Sequence, residues 1–268
     1  MGLALGGIDP WRVAGVVLLV GIWFAASRVV APALLPSPQS VLARAAADFL
    51  AAPELSYYGL GNASLLGSMT YTAENVLLAV AIGAAAGILC GLVSARSGIV
   101  RAAIDPIMLT AGTVPILVAA PFLLIWFGVG RASAVLLVTF YVAVMLYIYA
   151  QRAADNLDPI YEEAALMQGA SRRRIVADVL IPGTVPEILG GLRIALAGSW
   201  GLEAISELLG AQRGIGKIIE VLAGATDIQG IMAALLVLGL VAVVFDGLAA
   251  AAITRIAGWS VAARPGEA

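Results

Sequence analysis

Six long apolar runs constrain the fold of this chain more than any other feature of its sequence. They cover approximately residues 13–31, 73–95, 106–128, 132–151, 185–209 and 228–253. A helix needs roughly 20 apolar residues to cross a hydrocarbon core of about 30 Å, and each run is close to that length. With 62% hydrophobic and only 12% charged residues, the chain cannot be an ordinary soluble domain. We therefore predict an all-α polytopic membrane protein, a single domain over residues 1–268 with about six transmembrane helices.

The first run spans a membrane only if Arg28, near its end, extends its guanidinium group to the interface. A cleaved secretory signal peptide is the alternative, but only one arginine precedes the apolar stretch and the later runs already require a membrane protein. We expect a retained first helix. A short amphipathic helix over residues 43–50 would then lie in the membrane interface.

Glycines and prolines distinguish two of the runs. Gly83, Gly87 and Gly91 recur every four residues, so one helix face is bare backbone that another helix can approach closely. We predict that this face packs within the chain rather than across a dimer. Pro115 and Pro121 interrupt the third run, where they bend the helix and free carbonyl groups, which protein or a water-filled path must then surround.

The connections around the last two runs also carry helix signals. Thr184 and Glu187 have the spacing of a capping box at the start of the fifth helix. A glycine-rich connection, residues 210–226, leads to Asp227, a good N-cap for the sixth helix.

A polar segment, residues 152–183, separates the fourth and fifth runs. Asp158 can cap a helix that has Pro159 in its first turn, and Gly169 stands where a left-handed residue would end it. This predicts a helix of roughly ten residues. Ser171 can cap a second segment that begins with three arginines, which are unfavourable at a helix N-terminus and therefore indicate an outside partner or a negative surface: Arg172, Arg173 and Arg174.

The basic residues predict the orientation of the chain. If the N-terminus and the polar segment share one side, that side holds ten of the fifteen basic residues: Arg12, Arg96, Arg101, Arg152, Arg172, Arg173, Arg174, Arg193, Arg255 and Arg264. By the positive-inside rule, both termini and the polar segment are cytoplasmic.

The chain lacks the residue sets of several enzyme classes. It has no histidine and one cysteine, which removes the commonest general base and metal ligand and any intrachain disulfide. The only lysine, Lys217, is followed by Ile218 rather than serine or threonine, so the chain has no P-loop for ATP. A net charge of −2 gives no indication of a nucleic-acid partner.

The polar segment carries a recognisable motif. Glu163-Ala164-Ala165, then Gly169, and finally Val179-Leu180-Ile181-Pro182, resemble the EAA loop of the membrane subunits of ATP-binding-cassette (ABC) importers. Three other stretches are similar to the nitrate, sulfonate, taurine and bicarbonate branch of these permeases: Pro36-Ser37-Pro38, Trp126-Phe127-Gly128-Val129-Gly130 and Ser206-Glu207-Leu208-Leu209-Gly210.

The resemblance implies a fold, a function and partners. It implies the type I ABC importer permease fold in a prokaryotic inner membrane, moving a small solute inward by alternating access. It also implies a second permease copy or a sister permease, two cytoplasmic ABC ATPases and a periplasmic or lipid-anchored solute-binding protein, with membrane lipid around the spans. No cofactor is expected in this chain, because ATP and Mg²⁺ would bind to the ATPase subunits.

The resemblance also assigns roles to residues. The loop helix would lie in a groove of the ATPase and couple ATP binding to transport. The predicted ATPase-coupling residues are Tyr161, Glu162, Glu163, Ala164, Ala165, Leu166, Met167, Gly169, Arg172, Arg173, Arg174 and Pro182. Separately from these assignments, the candidate residues of the translocation path are Pro115, Trp200, Glu203 and Glu207. Glu207 matches a glutamate that is common in the branch, whereas Glu203 departs from the pattern, in which an apolar residue is usual.

Glu203 and Glu207 lie one helical turn apart on the fifth run, where an unpaired charged carboxylate costs about 3 kcal/mol or more. For Glu207 we favour a structural hydrogen bond. For Glu203 two interpretations stay open. It is either structural, paired with Arg28 or Arg193 or protonated and bonded to backbone, or it lines the path and favours an amine-bearing, zwitterionic or neutral cargo.

Two other function classes compete with the importer permease. An ion-coupled secondary transporter would use Glu203 and Glu207, but it predicts broken helices in two related halves, and no such repeat is visible. A membrane-embedded enzyme would need a nucleophile, base or metal set that the chain lacks.

Overall fold

The computed structural model describes residues 10–60 and 63–258, except for the side chain of Arg12, and these residues form helices and connections without a β-strand. The all-α prediction is confirmed. Arg264 and both chain termini, which entered the orientation argument, lie outside the described residues. The first helices are α1 (Pro10–Val29), α2 (Pro38–Ala47), α3 (Pro53–Tyr57), α4 (Leu65–Arg96), α5 (Gly98–Thr113) and α6 (Ile116–Phe127).

The second half of the chain contains the predicted loop and the last two runs. Its helices are α7 (Arg131–Asp155), α8 (Pro159–Met167), α9 (Arg172–Ile175), α10 (Ile181–Gly210), α11 (Ile215–Gly224) and α12 (Ile228–Ile256). A π-helical turn, Val176–Leu180, joins α9 to α10. This turn makes Arg172–Gly210 one continuous helical stretch of 39 residues.

Four helical stretches of the described chain are long and apolar enough to cross a membrane: Leu65–Arg96, Arg131–Asp155, Arg172–Gly210 and Ile228–Ile256. A fifth candidate is the pair formed by α5 and α6, which is bent by 103°. The bend falls at Val114 and Pro115, where the missing proline amide interrupts the helix. The apolar part of α1, Val13–Val29, is shorter. The division into six spans stays a prediction.

The residues group into two compact units, which we describe separately. In the first unit, Met1–Met69 with Ile218–Leu238, the Trp23 indole donates a hydrogen bond to the Pro36 carbonyl at 3.0 Å and so ties α1 to the connection before α2. Arg44 of α2 forms ion pairs with three carboxylates, those of Asp48 (2.5 Å), Glu54 (2.5 Å) and Asp227 (3.3 Å).

In the second unit, Thr70–Lys217 with Gly239–Ala268, α7 packs against both α4 and α10. One buried cluster of its core contains Ala79, Val138, Val142, Leu146 and Ala195. The three glycines of α4 face α7 so closely that a β-carbon on Gly83 would lie 2.7 Å from the Thr139 carbonyl oxygen. On Gly91 it would lie 2.6 Å from the Tyr147 carbonyl oxygen. Since backbone meets backbone, only glycine allows this approach.

One local prediction is wrong, and one helix was not predicted. The capping box is absent, because Thr184 lies inside the continuous stretch and donates to the Leu180 and Ile181 carbonyls at 3.0 and 3.1 Å, while Glu187 accepts from Asn156. The glycine-rich connection contains a helix, α11, whose apolar residues repeat with helical spacing. Asp227 does act as an N-cap, since its carboxylate accepts from the Gly230 amide at 2.9 Å.

Candidate coupling site

The loop helix α8 forms where its capping residues predict it. The Asp158 carboxylate accepts from the Ile160 amide at 3.0 Å, and Pro159 occupies the first turn. After Met167 the chain turns through Gly169, whose φ of +80° lies in the left-handed region that glycine adopts without strain. Both predicted helix boundaries are confirmed.

Helix α8 exposes large apolar side chains. Ile160, Tyr161 and Leu166 are 61%, 60% and 55% exposed, and Met167 is 91% exposed. The small Ala164 and Ala165 lie between them on the helix. A nine-residue helix with four large apolar side chains in the open has the character of a docking surface.

Glu162, which lies among these side chains on α8, holds the helix to the rest of the unit. The Arg96 guanidinium, at the end of α4, forms a bidentate ion pair with the Glu162 carboxylate. Just before α8, the Asp155 carboxylate at the end of α7 pairs with Arg101 of α5 at 2.6 Å. Because bidentate arginine–carboxylate pairs fix orientation as well as distance, Arg96 sets the direction of α8.

The arginine segment follows the loop helix directly. Ser171 caps α9 as predicted, accepting from the Arg174 amide at 3.4 Å. The three arginines are exposed, whereas Ile175 behind them is buried. Pro182 opens α10 just after the π-helical turn, so the motif ends inside the helical stretch that continues into the membrane span.

A polar network that the sequence did not predict lies close to the Arg101–Asp155 ion pair. Asp105 of α5 accepts hydrogen bonds from the Tyr147 hydroxyl and, at 2.7 Å, from the Gln151 amide. The Ser94 hydroxyl of α4 lies 2.8 Å from the same Tyr147 hydroxyl. The feature of the sequence that could have indicated this network is Asp105, a carboxylate directly before Pro106 at the edge of a predicted span. The network joins α4, α5 and α7.

The candidate path residues lie in different surroundings. Pro115 is at the bend between α5 and α6 and lines a cavity of about 230 Å³ against Tyr141 and Val144 of α7. Trp200, Glu203 and Glu207 lie on α10 and are all buried. The Trp200 ring packs on Phe245 of α12, with ring centroids 5.1 Å apart.

Glu207 is a buried carboxylate, and both of its oxygens accept hydrogen bonds. It accepts from the Thr72 hydroxyl at 2.8 and 2.9 Å and from the Gly216 amide at 2.9 Å. Thr72 in turn accepts from the Ile215 amide at 3.0 Å. These bonds join α10, α4 and the start of α11, which agrees with the structural interpretation of Glu207.

Glu203 is equally buried, but neither of its carboxylate oxygens has a hydrogen-bond or ion-pair partner among the described residues. The predicted pairing with Arg28 or Arg193 is wrong, because Arg193 binds Asp246 at 2.6 Å and Arg28 lies over the Phe24 ring. The Asn75 side chain, which is also buried, interacts with the Glu203 carboxylate, although no hydrogen bond of ordinary length and angle joins the two. A place for Glu203 on the transport path stays a prediction.

This contrast predicts opposite effects of substitution on stability. Glu207→Ala leaves the Gly216 amide and the Thr72 hydroxyl buried without their acceptor, so we expect a loss of about 3 kcal/mol in the free energy of unfolding. Glu203→Gln keeps the shape and removes a charge that has no partner, so its thermal unfolding midpoint should equal or exceed that of the wild type. Thermal unfolding of both purified variants measures this, and a larger loss for Glu203→Gln would contradict it.

Comparison with known proteins decides the family. A family model described as "Binding-protein-dependent transport system inner membrane component" matches residues 83–258, which include the whole loop. The chain belongs to this permease family. It is therefore a multi-pass inner-membrane subunit of an ABC importer, whose ATPase is a separate subunit and whose solute arrives on a binding protein.

Two relatives and one solved structure illustrate the match. The chain is 31% identical to the taurine transport system permease protein TauC of Escherichia coli K12 over 234 residues, covering 85% of this chain and 82% of that protein. It is 26% identical to the formylaminopyrimidine transport permease protein ThiX of Halalkalibacterium halodurans, covering 84% and 86%. A bacterial alginate ABC transporter, solved in complex with an alginate-bound periplasmic protein, has the same fold, with a TM-score of 0.60, 19% identity and coverage of 92% and 95%.

The resemblance stated from the sequence is thus confirmed, as is the assignment of a transport subunit rather than an enzyme. These matches support neither the ion-coupled secondary transporter nor the membrane-embedded enzyme. They do not test the individual coupling and path residues.

Proposed function

We propose that α8 and the arginine segment after it form the surface through which the ATPase subunit drives this permease. The observation that carries the proposal is that α8 exposes four large apolar side chains, from Ile160 to Met167, while Arg96 anchors its Glu162. A short helix of this kind fits an apolar groove of a partner. The arginines Arg172, Arg173 and Arg174 would complement acidic groups at the rim of that groove.

Movement of the ATPase groove would be transmitted from α8 to the membrane spans through two connections. Before α8, only Asn156, Leu157 and Asp158 separate the helix from α7. After it, the chain passes through Gly169 and Ser171 into the continuous stretch Arg172–Gly210. A shift of α8 would therefore displace α7 and α10 together, which converts closure of the ATPases into alternating access.

We further propose the composition of the assembly. Two permease chains, either two copies of this one or this one with a sister, would pair with two ATPases, and ATP and Mg²⁺ would be bound entirely by those ATPases. One solute-binding protein would deliver the cargo from the opposite side. A tagged permease purified from its native host should bring down an ATPase and a binding protein, and recovery of the permease without an ATPase would contradict the proposal.

The cargo class follows from the relatives. TauC and ThiX are named for taurine and formylaminopyrimidine, both small polar solutes with nitrogen groups. We propose a small solute of the sulfonate, nitrate, aromatic-acid or vitamin-precursor class. Glu203 is the residue of this chain that would favour an amine-bearing member, and isothermal titration of the co-purified binding protein with taurine and with nitrate tests the class directly.

The orientation is proposed on the ten-to-five distribution of basic residues, with both termini and α8 in the cytoplasm. In a Cys90→Ala background, a cysteine introduced by Arg173→Cys should react only with reagents admitted to the cytoplasm. A matched control, Tyr57→Cys on the 89% exposed Tyr57 of α3, should react from outside intact cells. Labelling of the first variant from outside would invert the orientation.

A further inference from the structure

Two adjoining cavities lie between α1 and the start of α2, within the first unit. One, of about 430 Å³, is apolar and runs along Val16, Val17, Val20 and Phe24. The other, of about 470 Å³, is more polar and contains Ser27, Arg28 and Ser37. Phe24 and Gln39 line both cavities, so the two adjoin along α1, and we refer to them together as the α1–α2 groove.

The polar end of the groove has the chemistry of an anion site. None of the residues that line either cavity carries a carboxylate. Arg28 is exposed, has no ion-pair partner among the described residues, and stacks its guanidinium 4.8 Å above the centre of the Phe24 ring. Stacking leaves the edge N–H groups of the guanidinium free to donate, and this geometry suits phosphate oxygens.

The dimensions of the groove fit one leaflet of a membrane. Arg28 follows Val16 by twelve residues, which is a rise of about 18 Å along the helix. Half of a hydrocarbon core is about 15 Å thick, so a phosphate group at Arg28 places an acyl chain along the valines. These valines are 64% (Val16), 64% (Val17) and 42% (Val20) exposed.

We propose that the groove between α1 and α2 binds one anionic phospholipid, with its headgroup phosphate on Arg28 and one acyl chain along Val16 to Phe24. The Gln39 amide, at the junction of the two cavities, would donate a second hydrogen bond to the headgroup. The Trp23–Pro36 hydrogen bond ties α1 to the connection before α2, next to this groove. The lipid would fill the space between α1 and α2 and cover the exposed valines of α1.

Native mass spectrometry tests the site. The permease complex is placed in nanodiscs of phosphatidylcholine alone or of phosphatidylcholine and phosphatidylglycerol in equal parts, and the lipid retained by each variant is counted. A single arginine near an anionic surface is worth a factor of about five in affinity, so Arg28→Gln should retain phosphatidylglycerol at least about fivefold less than wild type. Arg28→Lys should retain most of it, and Arg213→Gln, which removes an exposed arginine outside the groove, should behave as wild type.

Three results would overturn the proposal. The first is equal retention of phosphatidylglycerol by Arg28→Gln and wild type. The second is stabilisation of wild type, but not of Arg28→Gln, by inorganic phosphate in phosphatidylcholine nanodiscs, because the ligand would then be free phosphate. The third is efficient disulfide formation between two copies of a Val17→Cys variant, because a second copy of α1 would then occupy the groove. Should Arg28→Gln fail to fold, the wild type itself decides, because preferential retention of phosphatidylcholine over phosphatidylglycerol in the mixed nanodiscs would overturn the proposal.

Discussion

Replacing Gly91 by leucine should abolish recovery of the folded permease. A β-carbon at this position would lie 2.6 Å from the Tyr147 carbonyl oxygen and 2.9 Å from the Ala150 β-carbon. Backbone atoms cannot rotate away as a side chain can, so α4 and α7 would have to separate. Overpacking costs about 1–3 kcal/mol even where side chains can adjust, and a backbone clash should exceed that range. Since the net stability of a domain is only about 5–15 kcal/mol, a loss of this size depletes the folded state.

A matched substitution isolates the cause. Gly239→Leu places the same side chain on α12, where an added β-carbon meets nothing within 4 Å. We expect wild-type yield and a wild-type thermal unfolding midpoint for Gly239→Leu, and loss of the monodisperse size-exclusion peak for Gly91→Leu. Gly91→Ala should fall between them. Similar behaviour of the two leucine variants would show that the approach of α4 to α7 is not needed for folding.

The second large effect concerns coupling. Gly169→Val should lower ATP-driven uptake on the order of a hundredfold, because a β-branched residue at a φ of +80° carries strain of about 1–3 kcal/mol. The turn would relax to another conformation and carry the exposed side chains of α8 away from the partner. At the upper end of that strain, the population that can dock falls by about a hundredfold.

Asparagine at the same position is the control, since it adopts the left-handed region at little cost. Gly169→Asn should therefore retain most of the uptake, while both variants reach the membrane at wild-type levels. Co-purification of the ATPase with each variant gives a readout that does not depend on cargo. Wild-type uptake by Gly169→Val would refute the coupling role of this turn.

Much of the local structure could be predicted from the sequence because its causes are local. The caps at Asp158, Ser171 and Asp227 and the left-handed turn at Gly169 each depend on a residue and its next few neighbours. The prediction of a capping box at Thr184 was wrong because the residues of the motif do not decide the bond by themselves. Its side chain can equally bond a preceding carbonyl inside a helix, and only the helical turn before it decides which bond forms.

The sequence by itself determined the membrane class, the helical loop and the family motif, because apolar length, helix caps and motif spacing are properties of short segments. Tertiary structure alone decided which charges are paired. Arg96 meets Glu162 from 66 residues away, and Glu207 meets Thr72 from 135 residues away, whereas Glu203, one turn from Glu207, has no partner among the described residues. The sequence places both glutamates on one helix face, but their energies depend on which donors the neighbouring helices bring to each carboxylate.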